Sequence, residues 1–149
     1  NRHLYADLLF TEGEMSQASK HYEKLILVDG LPNKANIYNN LANIMISSDI
    51  VIAMSYVNEA VKLNPNSSSI LDTQGWLYTK NNNPQQGLNI LRQAFTLNSE
   101  SPTIRYHLAF TLNELGRTNA AKIELALALG SEQKFEERAQ AQDLSLKLK

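Results

Sequence analysis

The chain's acid–base chemistry rests on three histidines and fifteen carboxylates, so their spacing is the first question. His3 and Asp7 stand four residues apart and would share a helix face, a geometry that suits two metal ligands. No third ligand follows at helical spacing, so an exposed polar pair is the better reading and no metal is expected. His21 and His107 stand alone in the sequence and read as packing or hydrogen-bonding residues rather than proton-transfer groups. There is no cysteine, hence no disulfide frame and no thiolate. No glycine-rich phosphate loop, nucleophile elbow or paired-histidine zinc motif occurs. No nucleophile, base and orienting group can be assembled from nearby positions, so neither enzymatic activity nor a cofactor is expected. The "FEER" run at 135–138 reads as a solvated helix face, and the glycosylation-type triplet "NSS" at 66–68 reads as chance in a short turn.

What remains is binding, and composition narrows it. Fourteen basic and fifteen acidic residues leave a net charge of −1, which offers no general attraction for nucleic acid or an anionic membrane surface. At 43% hydrophobic and 19% charged the chain can bury a core. No apolar run approaches the roughly 20 residues that a membrane-spanning helix needs. The chain opens inside a helix-like pattern, "NRHLYADLLF", and is expected to be a piece of a longer protein.

The elements that would position a binding surface come from an internal repeat. Small residues recur at Ala6, Ala42, Gly75 and Ala109, and again at Ala18, Ala53, Gly87 and Ala121, with 33 to 36 residues between equivalents. Four residues after the second set come Tyr22, Val57, Leu91 and Leu125, and three further on Leu25, Ala60, Ala94 and Ala128. Each unit reads as two helices with apolar positions at i, i+3 and i+4. Turn residues separate the halves: Gly13, "SSD" at 47–49, "NNNP" at 81–84 and Gly116. The units join through "DGLPNK", "NPNSS" and "NSESP", and Pro102 suits a first helical turn. The second unit is one residue short in its inner turn. Phe135, Ala139, Leu144 and Leu148 form a loose apolar stripe that predicts a final helix over the open end of the stack. The predicted units are 1–32, 35–67, 68–101 and 102–130, with a capping helix over 132–148, in one array.

This pattern resembles the tetratricopeptide repeat (TPR) family, over essentially the whole chain. Leu25 is a weak fit to the family's alanine, and Pro65 alone matches its closing proline. The resemblance implies an all-α, right-handed superhelical solenoid that binds a protein or peptide in its concave groove. It explains why "LDTQGWLY" at 71–78 sets Gly75 beside the only tryptophan. Gly75 falls where two helices meet, and Trp76, about 100° further round the helix, faces the groove.

The resemblance also implies which side chains line that groove: Asn36, Asn39, Asn40 and Asn43 from the second unit, Asp72 and Trp76 from the third, Tyr106 and Phe110 from the fourth. An amide donates and accepts, so an asparagine ladder could hold the backbone of an extended peptide without reading its sequence; the alternative is a generic polar helix face. Exposed aromatics anchor binding partners, although Tyr106 or Phe110 could instead fill a gap between helices. Asn40 and Asn43 match the asparagines of carboxylate-clamp TPRs, but Ser69 and Thr73 stand where that clamp needs basic residues, which disfavours it.

The second half, from "LDTQGWLYTK" through "PTIRYHLAF" to "KFEERAQAQDL", is similar to the C-terminal end of bacterial TPR proteins, many of them lipoproteins, that accompany exopolysaccharide production and exosortase (PEP-CTERM) sorting. That similarity implies a non-catalytic scaffold at the cell envelope, periplasmic or anchored, while a cysteine-free chain fits the cytoplasm equally. A spacer or self-association role through the uncapped N-terminal face is the alternative expectation.

Overall fold

The computed structural model describes residues 1–149, which form nine helices and no strands. They are α1 (Arg2–Thr11), α2 (Met15–Ile26), α3 (Lys34–Met45), α4 (Ile50–Leu63), α5 (Ser68–Lys80), α6 (Pro84–Leu97), α7 (Pro102–Glu114), α8 (Thr118–Leu129) and α9 (Arg138–Lys147). The helices fall into two compact units, Asn1–Pro65 and Asn66–Lys149.

Five of the nine helices, α1, α4, α5, α6 and α7, start on a side-chain cap. Asp49 accepts from the backbone N–H of Ile52 at 3.0 Å, and Ser101 from that of Ile104 at 3.3 Å. Pro84 and Pro102 open α6 and α7, where a missing N–H costs nothing. The turns inside the helix pairs share one device. Gly13, Asn82 and Gly116 occupy the same repeat position, and all three take left-handed backbone angles, φ +84°, +60° and +75°. Glycine does this freely, and asparagine tolerates it better than most residues. The shortened turn between α3 and α4 lacks that residue and has no left-handed angle.

Both sets of repeating small residues are buried, as are the apolar positions that follow them. In the first unit Ala6, Leu9, Ala18, Tyr22 and Leu25 join Ile37 and Leu41 in one core. Beside it the Tyr22 hydroxyl donates to Asp7 at 2.7 Å and accepts from the Asn40 amide at 3.0 Å. In the second unit Leu88, Leu91 and Ala94 of α6 pack with Ile104, Leu108 and Leu112 of α7.

At the α5–α6 crossing the two backbones come close together. A Cβ on Gly75 would sit 2.7 Å from Leu91 Cγ and 3.0 Å from the Gly87 carbonyl. A Cβ on Gly87 would collide with the Thr79 hydroxyl and lie 2.8 Å from the Gly75 carbonyl. Two glycines therefore face each other, each backbone filling the space where the other's side chain would be.

The tail departs from the expected pattern. Its helix begins at Arg138, not near 132, because residues 131–137 turn around the Arg138 guanidinium. That group donates to the carbonyls of Leu129 (3.0 Å), Ser131 (2.8 Å) and Gln133 (3.2 Å). The later start rotates the helix, so Ala141, not Ala139, is buried; Ala139 faces solvent. Ala141 and Phe135 close over Tyr106, Ala109, Leu125 and Ala128.

Helix propensity alone would make Gly87→Ala stabilising by about 1 kcal/mol. The added Cβ is fixed to its own backbone and meets the Gly75 carbonyl, itself backbone, so a rotamer change cannot relieve the contact, and overpacking of that kind costs about 1–3 kcal/mol. We expect Gly87→Ala to lower the denaturation midpoint of the second unit, read through Trp76 fluorescence. An increase would show that α5 and α6 do not meet there.

Candidate functional site

One surface of the second unit gathers polar, aromatic and charged groups from α5, α7 and the turn before α9. The glycine crossing fixes α5. A buried hydroxyl pair, Thr79 Oγ1 to Thr111 Oγ1 at 2.8 Å, ties α5 to α7. Asp72, Trp76 and Lys80 then stand at four-residue spacing along one face of α5, and His107 and Phe110 come from α7.

His107 is the centre of the arrangement. It is 4% exposed. Its Nδ1 lies 2.7 Å from Asp72 Oδ1, and its Nε2 lies 3.0 and 2.9 Å from the two carboxylate oxygens of Glu137. A neutral imidazole has one N–H and cannot donate to both carboxylates, whereas an imidazolium can. Burial pulls the His107 pKa down, but the charges and hydrogen bonds of Asp72 and Glu137 outweigh it and raise the value to about 9. The ring is therefore charged at neutral pH. It is not poised as a general base, since both nitrogens are already committed.

Trp76 lies flat on this cation, with ring centroids 4.1 Å apart and planes 18° from parallel. Imidazolium over an indole face is a cation–π contact in a largely desolvated place. Phe110 meets Trp76 edge-on at 5.0 Å, and Tyr106 lies tilted at 5.9 Å. The Lys80 ammonium sits 4.6 Å from the Trp76 centroid and 4.3 Å from that of Phe110. Burial, and then the Glu137 charge, raise the Tyr106 hydroxyl to about 12, so it stays protonated. Trp76 and Phe110 are half-buried and Lys80 is exposed. The product is a fixed aromatic surface with a cationic edge.

The structure brings the aromatic trio together but gives its members different burial. Trp76 and Phe110 reach the surface, whereas Tyr106 is buried in the core beneath α9. Asp72, expected in the groove, is buried and spent on His107. The asparagine ladder is divided in the same way. Asn36 and Asn43 are exposed, and Asn43 donates to the Asn39 carbonyl at 3.1 Å. Asn39 is buried with its side-chain oxygen unpartnered, and Asn40 donates inward to Tyr22. Asn39 is thus held in the interior of the first unit, and Asn40, half-buried, is committed to Tyr22.

His107 does not stand alone, as its place in the sequence implied, and the "FEER" run is not a uniformly solvated face. Asp72 precedes His107 by about one repeat, so equivalent turns of neighbouring first helices hold them together. That register was the available signal for the pair. Nothing in the sequence marked Glu137. No group of three or more metal-ligating side chains converges on a point: the two carboxylates lie on opposite sides of the His107 ring, and His3 and Asp7, 3.4 Å apart, have no third partner.

A tetratricopeptide repeat family model matches residues 78–145. The chain is similar in structure to a thermophilic TPR protein in Thermus thermophilus, at 19% identity and a TM-score of 0.76, covering 96% of this chain and 77% of that one. It is also similar to the MamA protein, at 19% identity and a TM-score of 0.69 over 95% of this chain and 82% of that one. A MamA segment from Desulfovibrio magneticus RS-1 gives 15% identity and a TM-score of 0.71 over 95% and 76%. No curated protein sequence matches the chain. At these identities the structural likeness establishes the fold, which is all-helical and of the tetratricopeptide kind. Proteins with this fold are generally non-catalytic, and the fold suggests a protein–protein interaction scaffold. No helix is long and apolar enough to cross a membrane.

The His107 charge makes stability depend on pH in a defined direction. Its folded value of about 9 lies above the ordinary 6.5. The stabilisation is complete below about pH 6.5 and is lost as pH rises through about 9, because the unfolded chain gives up its proton first. We expect the melting temperature of the second unit to fall across that window and His107→Gln to flatten the dependence. A native profile that stays level from pH 6.5 to 9 would exclude the charged ring.

Proposed function

We propose that the protein is a non-catalytic scaffold that binds an extended segment of a partner protein, and that Trp76, Phe110 and Lys80 form the main contact. The observation that carries this reading is the support beneath the surface. Trp76 is held on a buried ion-paired ring and braced by Phe110, so little side-chain freedom is lost when a partner docks. Tryptophan is among the residue types that dominate binding energy at interfaces. The partner chemistry that fits is an apolar or aromatic side chain next to a carboxylate, the first against the rings and the second at Lys80. Asp72 and Tyr106 act from beneath, as positioning residues.

On the resemblance read in the sequence of its second half alone, we place this scaffold in secretion or polysaccharide assembly at a bacterial envelope. The test is capture of partners from an envelope lysate by the native chain and by Trp76→Ala/Phe110→Ala. Loss of an interface anchor of this kind costs about 2 kcal/mol or more, roughly thirtyfold in affinity. We expect a partner retained by the native chain to be lost by the double variant and weakened by Lys80→Glu, with both variants still melting cooperatively. Equal retention by all three would move the binding surface elsewhere.

A further inference from the structure

The second helix of each repeat carries two outward positions one turn apart, and α8 breaks their pattern. Counted from the buried small residue of each helix, they hold Lys20 and Lys24 in α2, Ser55 and Glu59 in α4, and Asn89 and Gln93 in α6. In α8 they hold Ile123 and Leu127, which are 62% and 50% exposed. A neighbouring repeat does not cover these positions. Asn89 and Gln93 are exposed although α7 and α8 follow them, and Ile123 and Leu127 are exposed with α9 in place. Polar residues are therefore the rule at a site that stays open to solvent, and two aliphatic ones depart from it. An apolar groove of about 310 Å³ adjoins them, between α6 and α8. Leu88, Leu108 and Leu112, all buried, form its floor, and Phe95 and Ile123 stand on its two sides. Arg105 of α7 ties those sides together. Its guanidinium lies 4.9 Å from the Phe95 ring centroid and donates to Glu124 at 2.9 Å. The charged residues of α6 and α8 are Arg92, Lys122 and Glu124. With Glu124 spent on Arg105, the charge left at the groove is that of Arg92, which is exposed on its rim.

We propose that this groove seats an acidic amphipathic helix of a partner protein, its apolar stripe over Ile123 and Leu127 and a carboxylate at Arg92. Spacing selects a helix. Leu88, Arg92 and Phe95 stand at i, i+4 and i+7 on α6, and Ala120, Ile123 and Leu127 at i, i+3 and i+7 on α8. Ridges of that period accept the same period from a third helix. Charge selects its flank, because a basic helix would meet Arg92 with like charge, and such complementarity sets specificity more than affinity. The site shares no residue with the Trp76 surface, so the two stand or fall separately.

The experiment is selection of a displayed library of peptides about 16 residues long, some four helical turns, on the native chain, with counter-selection against Ile123→Asn/Leu127→Gln. That variant gives α8 the residues that α6 carries at the same positions. Both side chains are exposed, so its helical spectrum and melting curve should match those of the native chain. The selected peptides should place apolar residues at helical spacing with Asp or Glu beside them. By fluorescence anisotropy, a labelled peptide from the selection should bind the native chain about tenfold or more tighter than the variant. Arg92→Glu should weaken binding, and changing the peptide's acidic residue to Lys should restore it. Trp76→Ala/Phe110→Ala should bind the peptide as the native chain does. Selection of no peptide that distinguishes the native chain from the variant would overturn the proposal, as would enrichment of basic helices or failure of the charge exchange. So would a native chain that doubles its mass in sedimentation while Ile123→Asn/Leu127→Gln does not, since a second copy would then be the occupant.

Discussion

A buried proton organises the second unit of this molecule. With His107 charged, Asp72 on α5 and Glu137 before α9 are both drawn to one ring on α7. Three elements distant in sequence then share one fixed point. Such a network is weak support for net stability, since desolvating the charges offsets much of their attraction, but removing one partner from a buried pair costs about 3–5 kcal/mol. The arrangement is therefore hard to leave once formed. It holds position: α5 against α7, and the tail turn against both.

The surface chemistry follows from that fixed point. Trp76 does not merely fall on an open wall; it rests on the cation, and Phe110 and Lys80 complete what a partner would meet. The adjacent Gly75 allows α6 to come close enough for its leucines to fill the core behind. The glycine and the tryptophan of one helical turn thus serve opposite sides of α5, one removing bulk and the other supplying it.

Most of the fold was legible in the sequence, because a repeat states its packing several times over. Ala6, Ala42, Gly75 and Ala109 reported where helices cross, and Gly13 and Gly116 reported left-handed turns. Asn82 took the same angle with less warning. The tail was less legible, since it is stated once: the Arg138 side chain, reaching back to three carbonyls, set a helix start that apolar spacing did not show. The site was legible by type but not by depth. Repeat register identified the face that holds Trp76 and Phe110, yet it could not tell that Asp72, Asn39 and Asn40 turn inward. Their burial depends on single partners, an ion pair for Asp72 and the Tyr22 hydroxyl for Asn40, which no periodic pattern encodes.

The protonation state of His107 tests this account most directly. Nitrogen-15 NMR of the ring at pH 7.5 distinguishes an imidazolium, with both nitrogens protonated, from a neutral tautomer with one bare nitrogen. The account predicts two N–H signals, each shielded from solvent exchange by a carboxylate. A neutral ring, with one nitrogen showing the shift of an unprotonated imidazole, would contradict it and would leave Trp76 without the charged support on which the proposed binding surface rests.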